Sequence, residues 1–113
     1  MKCGVDIVSI KRIQDICSRQ NFLARCFTQD EINYFNTKTD PYPSIAANFA
    51  AKEAFSKALG TGVRNFNLRD IAVLRDELGA PYFVFGVHLK PPGATSVSLS
   101  HDGGMAIAFV IIE

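Results

Sequence analysis

Helical spacing of apolar residues dominates the first half of the chain, and short apolar runs with turn residues between them dominate the second. Residues 3–10 are rich in Val and Ile and predict a strand, with Ser9 placed to cap a helix in which Ile10, Ile13 and Cys17 recur at helical spacing. Thr28 and Glu31 have the Thr-x-x-Glu spacing of a capping box, and Phe27 and Ile32 are placed as a hydrophobic staple. Together they predict a second helix ending near Phe35. Two prolines and several small polar residues break the pattern across 36–43 and predict a surface loop. Residues 44–59 are mostly Ala, Phe, Ile, Lys and Glu, and Gly60 follows where a helix end favours glycine; this predicts the longest helix.

Beyond the Gly60-Thr61-Gly62 turn, residues 71–75 and 81–87 predict a hairpin around Glu77-Leu78-Gly79-Ala80, with Pro81 opening its strand or lying on an edge. Residues 96–100 and 105–112 predict a second hairpin around His101-Asp102-Gly103-Gly104. The fold class is therefore α+β, helices early and strands late. The last strand is apolar on both faces, whereas an outer strand of a lone two-layer domain alternates with polar residues. Either loops of the same chain or a neighbouring subunit must cover the face that a helix layer leaves open. A homo-oligomer is the expectation.

The length of 113 residues and the 48% hydrophobic content fit one packed domain over 1–113. A net charge of +1 argues against wholesale nucleic-acid binding, so any charged partner site has to be local. With no membrane-length apolar run and no secretory pattern at the start, a soluble cytoplasmic protein is expected, with neither nucleic acid nor membrane as partner. Cys3, Cys17 and Cys26 are widely spaced, outside any zinc or disulfide pattern, and are read as reduced.

Three charged positions stand out. Glu53 and Lys57 lie one turn apart on the same side of the predicted long helix. Ile45, Phe49, Phe55 and Leu59 make one apolar side of that helix, and Ala46, Ala50, Ala54 and Ala58 make another that admits close approach. A helix apolar nearly all round is a buried one. Glu53 and Lys57 are then either a solvated ion pair or charges that need a partner, an ion or a ligand. Asp6 interrupts an apolar strand and either caps local backbone or binds metal; two carboxylates with substrate oxygens suit magnesium. His101, ending Ser98-Leu99-Ser100-His101, is either a turn histidine or a residue shown to a ligand. The glycines of Gly60-Thr61-Gly62 let a phosphate approach backbone amides, a weak signal alone, and no Walker sequence is present.

These stretches converge on a family. Gly4-Val5-Asp6-Ile7-Val8 with Lys11-Arg12-Ile13, then Phe49-Ala50-Ala51-Lys52-Glu53-Ala54, resemble the two signature stretches of the holo-(acyl-carrier-protein) synthases in the 4'-phosphopantetheinyl transferase family. Phe55-Ser56-Lys57-Ala58-Leu59-Gly60-Thr61-Gly62, Asp70-Ile71, Gly79-Ala80-Pro81-Tyr82 and Ser98-Leu99-Ser100-His101 continue the resemblance over nearly the whole chain, in the family's order. The resemblance implies helices packed on an antiparallel sheet and a homotrimer with coenzyme A in clefts between subunits. It also implies magnesium-dependent transfer of phosphopantetheine from coenzyme A to a serine of apo acyl carrier protein, in support of fatty acid biosynthesis. Asp6 and Glu53 would hold the magnesium, Lys57 would neutralise a phosphate, and Ser100 and His101 would lie beside coenzyme A. Gly60, Thr61 and Gly62 would cradle phosphate or pantetheine, and Pro81 would border the cleft.

Carrier proteins are generally acidic, and residues 10–25 hold Lys11, Arg12, Arg19 and Arg25 against only Asp15. This is either a solvated helix face or a docking patch. With the resemblance, docking through Arg12, Lys11 and Arg19 is expected. Members of the family commonly carry an arginine where this chain has Asn48, so a coenzyme A phosphate contact is expected to be weaker or supplied elsewhere. A non-catalytic binding module and a metal-independent oligomerisation domain are the alternatives, and intact Asp6, Glu53 and Lys57 argue against the first.

Overall fold

The computed structural model describes residues 1–60 and 66–113. Strand β1 (Lys2–Ser9) passes directly into helix α1 (Ile10–Cys17), and the Ser9 hydroxyl accepts a hydrogen bond from the Arg12 amide at 3.2 Å, the cap expected of it. Helix α2 (Phe22–Cys26) was not legible in the sequence, because five residues span little more than one turn and bury only Phe22. Helix α3 (Gln29–Phe35) opens with the reciprocal capping box of Thr28 and Glu31. Helix α4 (Tyr42–Leu59) begins two residues ahead of the expected start at 44. Pro41 caps it and Pro43 sits in its first turn, where a missing N–H leaves no helical bond unmade, so these prolines open the helix instead of ending a loop.

A 3-10 turn (Leu68–Asp70) leads into β2 (Ile71–Arg75) and β3 (Pro81–Phe85), which pair antiparallel as expected, with Pro81 opening its strand. Strands β4 (Thr95–Asp102) and β5 (Met105–Ile112) form the second hairpin. The expected turn at 101–104 contracts to Gly103-Gly104, whose positive φ values of 57° and 81° suit a two-residue hairpin. His101 therefore belongs to β4, opposite Ala106. The strands divide into two antiparallel sheets, β1-β5-β4 with β5 central, and β2-β3. Among the described residues, no helix is long and apolar enough to cross a membrane.

Strand alternation gives the three-stranded sheet two different faces. Gly4 and Val8 of β1 and Ala106, Ala108, Val110 and Ile112 of β5 are buried, with α4 packed over both strands. The approach at Gly4 is backbone to backbone: a Cβ there would collide with the Ala54 carbonyl oxygen and come within 2.7 Å of the Ala58 nitrogen. The alanine side of α4 is thus a contact surface for a strand. On the opposite face Ile7 is 60% exposed, Val5 48% and Phe109 43%, with Met105 and Ile107 beside them. Among the described residues no loop covers this apolar strip, which leaves one of the two expected coverings, the helix layer, in place and the other face open. Cys3, exposed at its margin, and the half-buried Cys17 and Cys26 are all free thiols.

A buried polar network fastens the second sheet and the short helices to α4. Glu31 and Lys52, both with no exposed side-chain surface, form an ion pair of 2.6 Å. The Lys52 ammonium also donates to the Cys26 carbonyl (2.7 Å) and the Leu68 carbonyl (2.9 Å), so each of its three protons has an acceptor. Glu31 Oε1 accepts from the Thr28 amide, and Oε2 accepts from Asn48 Nδ2 (3.0 Å) and the Val73 amide (3.2 Å). Among the described residues no buried side-chain polar atom lacks a partner. Burial pushes the Lys52 ammonium below its ordinary pKa, with the Glu31 charge opposing that shift. Phe55 adds an apolar fastening, its ring 5.3 Å from Phe85 and 5.6 Å from Phe83.

Removing one member strands the other charge in the core, which costs about 3–5 kcal/mol in such pairs. Glu31→Gln is therefore expected to lower unfolding free energy by about that range, and adding Lys52→Met to recover most of the loss. Urea denaturation at fixed protein concentration measures both; a Glu31→Gln loss near zero would show that the pair does not hold the elements together.

Candidate active site

Asp6 lies opposite Ala108 on the side of β1 that faces α4, between Gly4 and Val8. The close approach at Gly4 brings the last turns of α4 to this strand, and Lys57 reaches back across the contact. Its ammonium donates to Asp6 Oδ1 and to the Val5 carbonyl, each at 3.0 Å. The Asp6 side chain keeps 17% of its surface exposed and that of Lys57 keeps 56%, so the pair sits at a solvent-facing margin. The carboxylate that the strand pattern disfavoured is thus accommodated by a lysine from α4.

Glu53 is one turn before Lys57 and close enough to Asp6 to feel its charge. Partial burial is the largest influence pushing the Glu53 carboxyl above its ordinary pKa, repulsion from Asp6 adds to it, and attraction to Lys57 opposes both. Two mutually repelling carboxylates beside one ammonium can receive a cation together with anionic oxygens. No group of three or more His, Cys, Asp or Glu side chains suited to a metal occurs among the described residues. An ion at Asp6 and Glu53 would complete its shell with oxygens from water or substrate, the habit of magnesium at phosphate sites.

The other expected ligand residues gather elsewhere. Pro81, Ser100 and His101 line a cavity of about 300 Å³ between the start of β3, the end of β4 and the first turns of α4. Neither Asp6, Glu53 nor Lys57 lines it. Within one chain the residues therefore form two separate groups. Gly60 ends α4 in the left-handed region at φ 80°, with open space where a Cβ would stand. Thr61 and Gly62 lie outside the described residues.

The charged and aromatic side chains that join Pro81, Ser100 and His101 in the cavity, Tyr34, Lys38 and Arg75, were not among the expected site residues. Lys38 lies in the stretch 36–43, read only as a surface loop, and Arg75 ends a strand, so the proximity of either to His101 was invisible without the fold. Asn48, flagged as a departure from the usual arginine, is fully buried, and its amide is committed to Glu31, Val73 and Arg75. On the expected docking surface Lys11, Arg12 and Arg19 are all exposed. Lys11 pairs with Asp15 at 2.9 Å, whereas the Arg12 guanidinium has no partner among the described residues.

The model of the 4'-phosphopantetheinyl transferase superfamily matches residues 2–110. The chain belongs to this superfamily. It is 44% identical to a holo-[acyl-carrier-protein] synthase of Clostridium perfringens over 97% of this chain and 91% of that protein. The crystal structure of the holo-[acyl-carrier-protein] synthase from Neisseria meningitidis superposes with a TM-score of 0.88 at 35% identity, covering 99% of this chain and 97% of that one. The Bacillus anthracis holo-(acyl-carrier-protein) synthase in complex with CoA (3',5'-ADP) gives a TM-score of 0.88 at 31% identity, covering 98% and 94%.

The raised Glu53 pKa sets the sign of a pH effect. A carboxyl whose folded pKa lies above its unfolded value penalises the fold once ionised, that is, as pH rises through the folded pKa. Glu53→Gln is expected to raise the melting temperature slightly at neutral pH in chelator, with the gain shrinking as pH falls toward the ordinary carboxyl value of 4.5. Thermal scans across that window check it; a pH-independent difference would contradict the upward shift that burial and, after it, Asp6 impose on Glu53.

Proposed function

We propose that the protein transfers 4'-phosphopantetheine from coenzyme A to a serine of an apo acyl carrier protein, releasing 3',5'-ADP. The observation that carries this reading is the meeting of Asp6, Glu53 and Lys57 where β1 touches α4, in a chain so similar to holo-(acyl-carrier-protein) synthases. Asp6 and Glu53 are the residues that would hold magnesium, sharing it with oxygens of the coenzyme A diphosphate. Magnesium supplies Lewis-acid neutralisation of the charge that gathers on that diphosphate during phosphoryl transfer. Lys57, anchored to Asp6 by a half-exposed side chain, is free to turn its ammonium to a phosphate oxygen once the carboxylate is otherwise engaged. The carrier serine oxygen bonds to the pantetheine-side phosphorus as the bond to the bridging oxygen breaks. The serine gives up its proton, and 3',5'-ADP leaves with the electron pair.

The same reading accounts for the open apolar strip and the divided ligand residues. A homotrimer that covers Val5, Ile7, Ile107 and Phe109 would bring the cavity of one subunit toward the carboxylates of the next. Coenzyme A would then lie between subunits. Arg12 and Arg19, with Lys11 beside them, offer an acidic carrier protein a docking surface on and after α1.

Intact-mass spectrometry of apo acyl carrier protein incubated with the protein, coenzyme A and magnesium tests the transfer. One added phosphopantetheine, lost with chelator, is expected. Glu53→Ala should slow it by about 10²–10³-fold, as loss of an electrostatic stabiliser does, and Arg12→Glu should raise KM for the carrier. Coenzyme A binding without transfer would instead mark a non-catalytic binding module. Phe109→Asp should leave a folded chain but shift light-scattering mass from trimer to monomer and abolish transfer. A trimer unaffected by that substitution would place the interface elsewhere.

A further inference from the structure

The Lys57 ammonium sits on the very oxygen that a metal ion at Asp6 and Glu53 would use. It donates to Asp6 Oδ1 and to the Val5 carbonyl, each at 3.0 Å. Among the described residues it is the only cation within ion-pair distance of Asp6, and Glu53 has none. Its charge still reaches Glu53: partial burial and the Asp6 charge raise the Glu53 pKa, and the Lys57 ammonium draws it back. One resident cation therefore serves both carboxylates. A divalent ion bound to the same pair would have that ammonium as its neighbour, and like charges a few ångströms apart repel strongly where water is partly excluded.

Lys57 is also held loosely. Its side chain is half-exposed, and an ion pair at so wet a margin contributes little, so the ammonium can turn away at small cost. Two of its three protons are engaged, and the third has no acceptor among the described residues. Lys52, earlier in the same helix, is the opposite case: its side chain has no exposed surface and all three of its protons are taken. Lys52 is fixed and Lys57 is exchangeable. A phosphate oxygen would accept the spare proton of Lys57 and place negative charge between the ammonium and a metal ion, so that repulsion gives way to a shared attraction.

We propose that Lys57 makes the two ligands of this site depend on each other: its ammonium guards Asp6 against a metal ion that arrives alone and yields to one that arrives with the diphosphate of coenzyme A. This rests on the transferase reading, which supplies the diphosphate. By linkage, the factor by which coenzyme A raises metal affinity equals the factor by which metal raises coenzyme A affinity, and Lys57 enlarges both.

Titration with Mn2+ alone, its free fraction read by electron paramagnetic resonance, tests this in wild type, Lys57→Gln, Lys57→Arg and Lys11→Gln. Lys57→Gln is expected to bind the ion about tenfold or more tighter than wild type, the scale of removing one neighbouring positive charge. A gain of affinity is not an outcome of a disturbed fold. Lys57→Arg, which keeps the charge, and Lys11→Gln, which removes an exposed lysine paired with Asp15, should stay close to wild type. Calorimetry of coenzyme A with and without the metal should show the coupling factor falling at least as far in Lys57→Gln. Binding in Lys57→Gln no tighter than in wild type, undetectable binding in both included, would overturn the proposal, as would equal tightening in Lys11→Gln or Lys57→Arg or an unchanged coupling factor. Each of those results leaves the transferase reading in place. Wild type that transfers no phosphopantetheine, or Asp6→Asn that binds Mn2+ as wild type does, would overturn both.

Discussion

Two opposite charges buried against each other, Glu31 and Lys52, are the constraint on which the arrangement of the helices and the second sheet depends. Each needs the other because an unpaired charge in that position would be driven out of the core or neutralised. The pair is specific in direction as well as in sign, for its hydrogen bonds reach the ends of α2 and the 3-10 turn, the cap of α3 and the backbone of β2. Lys52 and Glu53 are neighbours in sequence, yet successive helical residues point about 100° apart. The first turns into the core, the second toward Asp6. One turn of α4 thereby carries both the fastening of the fold and a member of the candidate site.

Much of this was legible in the sequence, for reasons tied to particular residues. Ser9, Thr28 and Gly60 announced helix ends because their caps are local, and the two hairpins followed from short apolar runs around glycines. Asp6 stood out because it interrupts an apolar strand, and Glu53 and Lys57 because their helix is otherwise apolar. Lys52 and Glu31 were unreadable: twenty-one positions separate them, and each alone resembles an ordinary surface charge. For the same reason Asn48 registered only as a departure from a family pattern, when its amide is a core bridge from Glu31 to Arg75. Long-range polar pairing leaves no period in the chain.

The strand period of two governs how the two sides of the sheet differ. On β1 it sends Gly4, Asp6 and Val8 toward α4 and Val5 and Ile7 away from it; on β5 it sends alanines and valine inward and Ile107 and Phe109 outward. Chemistry and the open apolar strip are therefore alternate residues of one strand. A shift of register by one position would exchange them, burying Ile7 where Asp6 belongs. The eight paired positions between β1 and β5 make that exchange costly, so the strip's orientation and the site's are fixed by the same ladder.

Gly4 adds a mechanical consequence. Where most helix–strand spacings are set by the girth of intervening side chains, this one is set by main chain resting on main chain. The separation between the strand bearing Asp6 and the helix bearing Glu53 thus has a hard stop that does not move when distant core residues are exchanged for larger or smaller ones. Sequences descended from this one are free to drift through their apolar interior while the gap between the two carboxylates keeps its width.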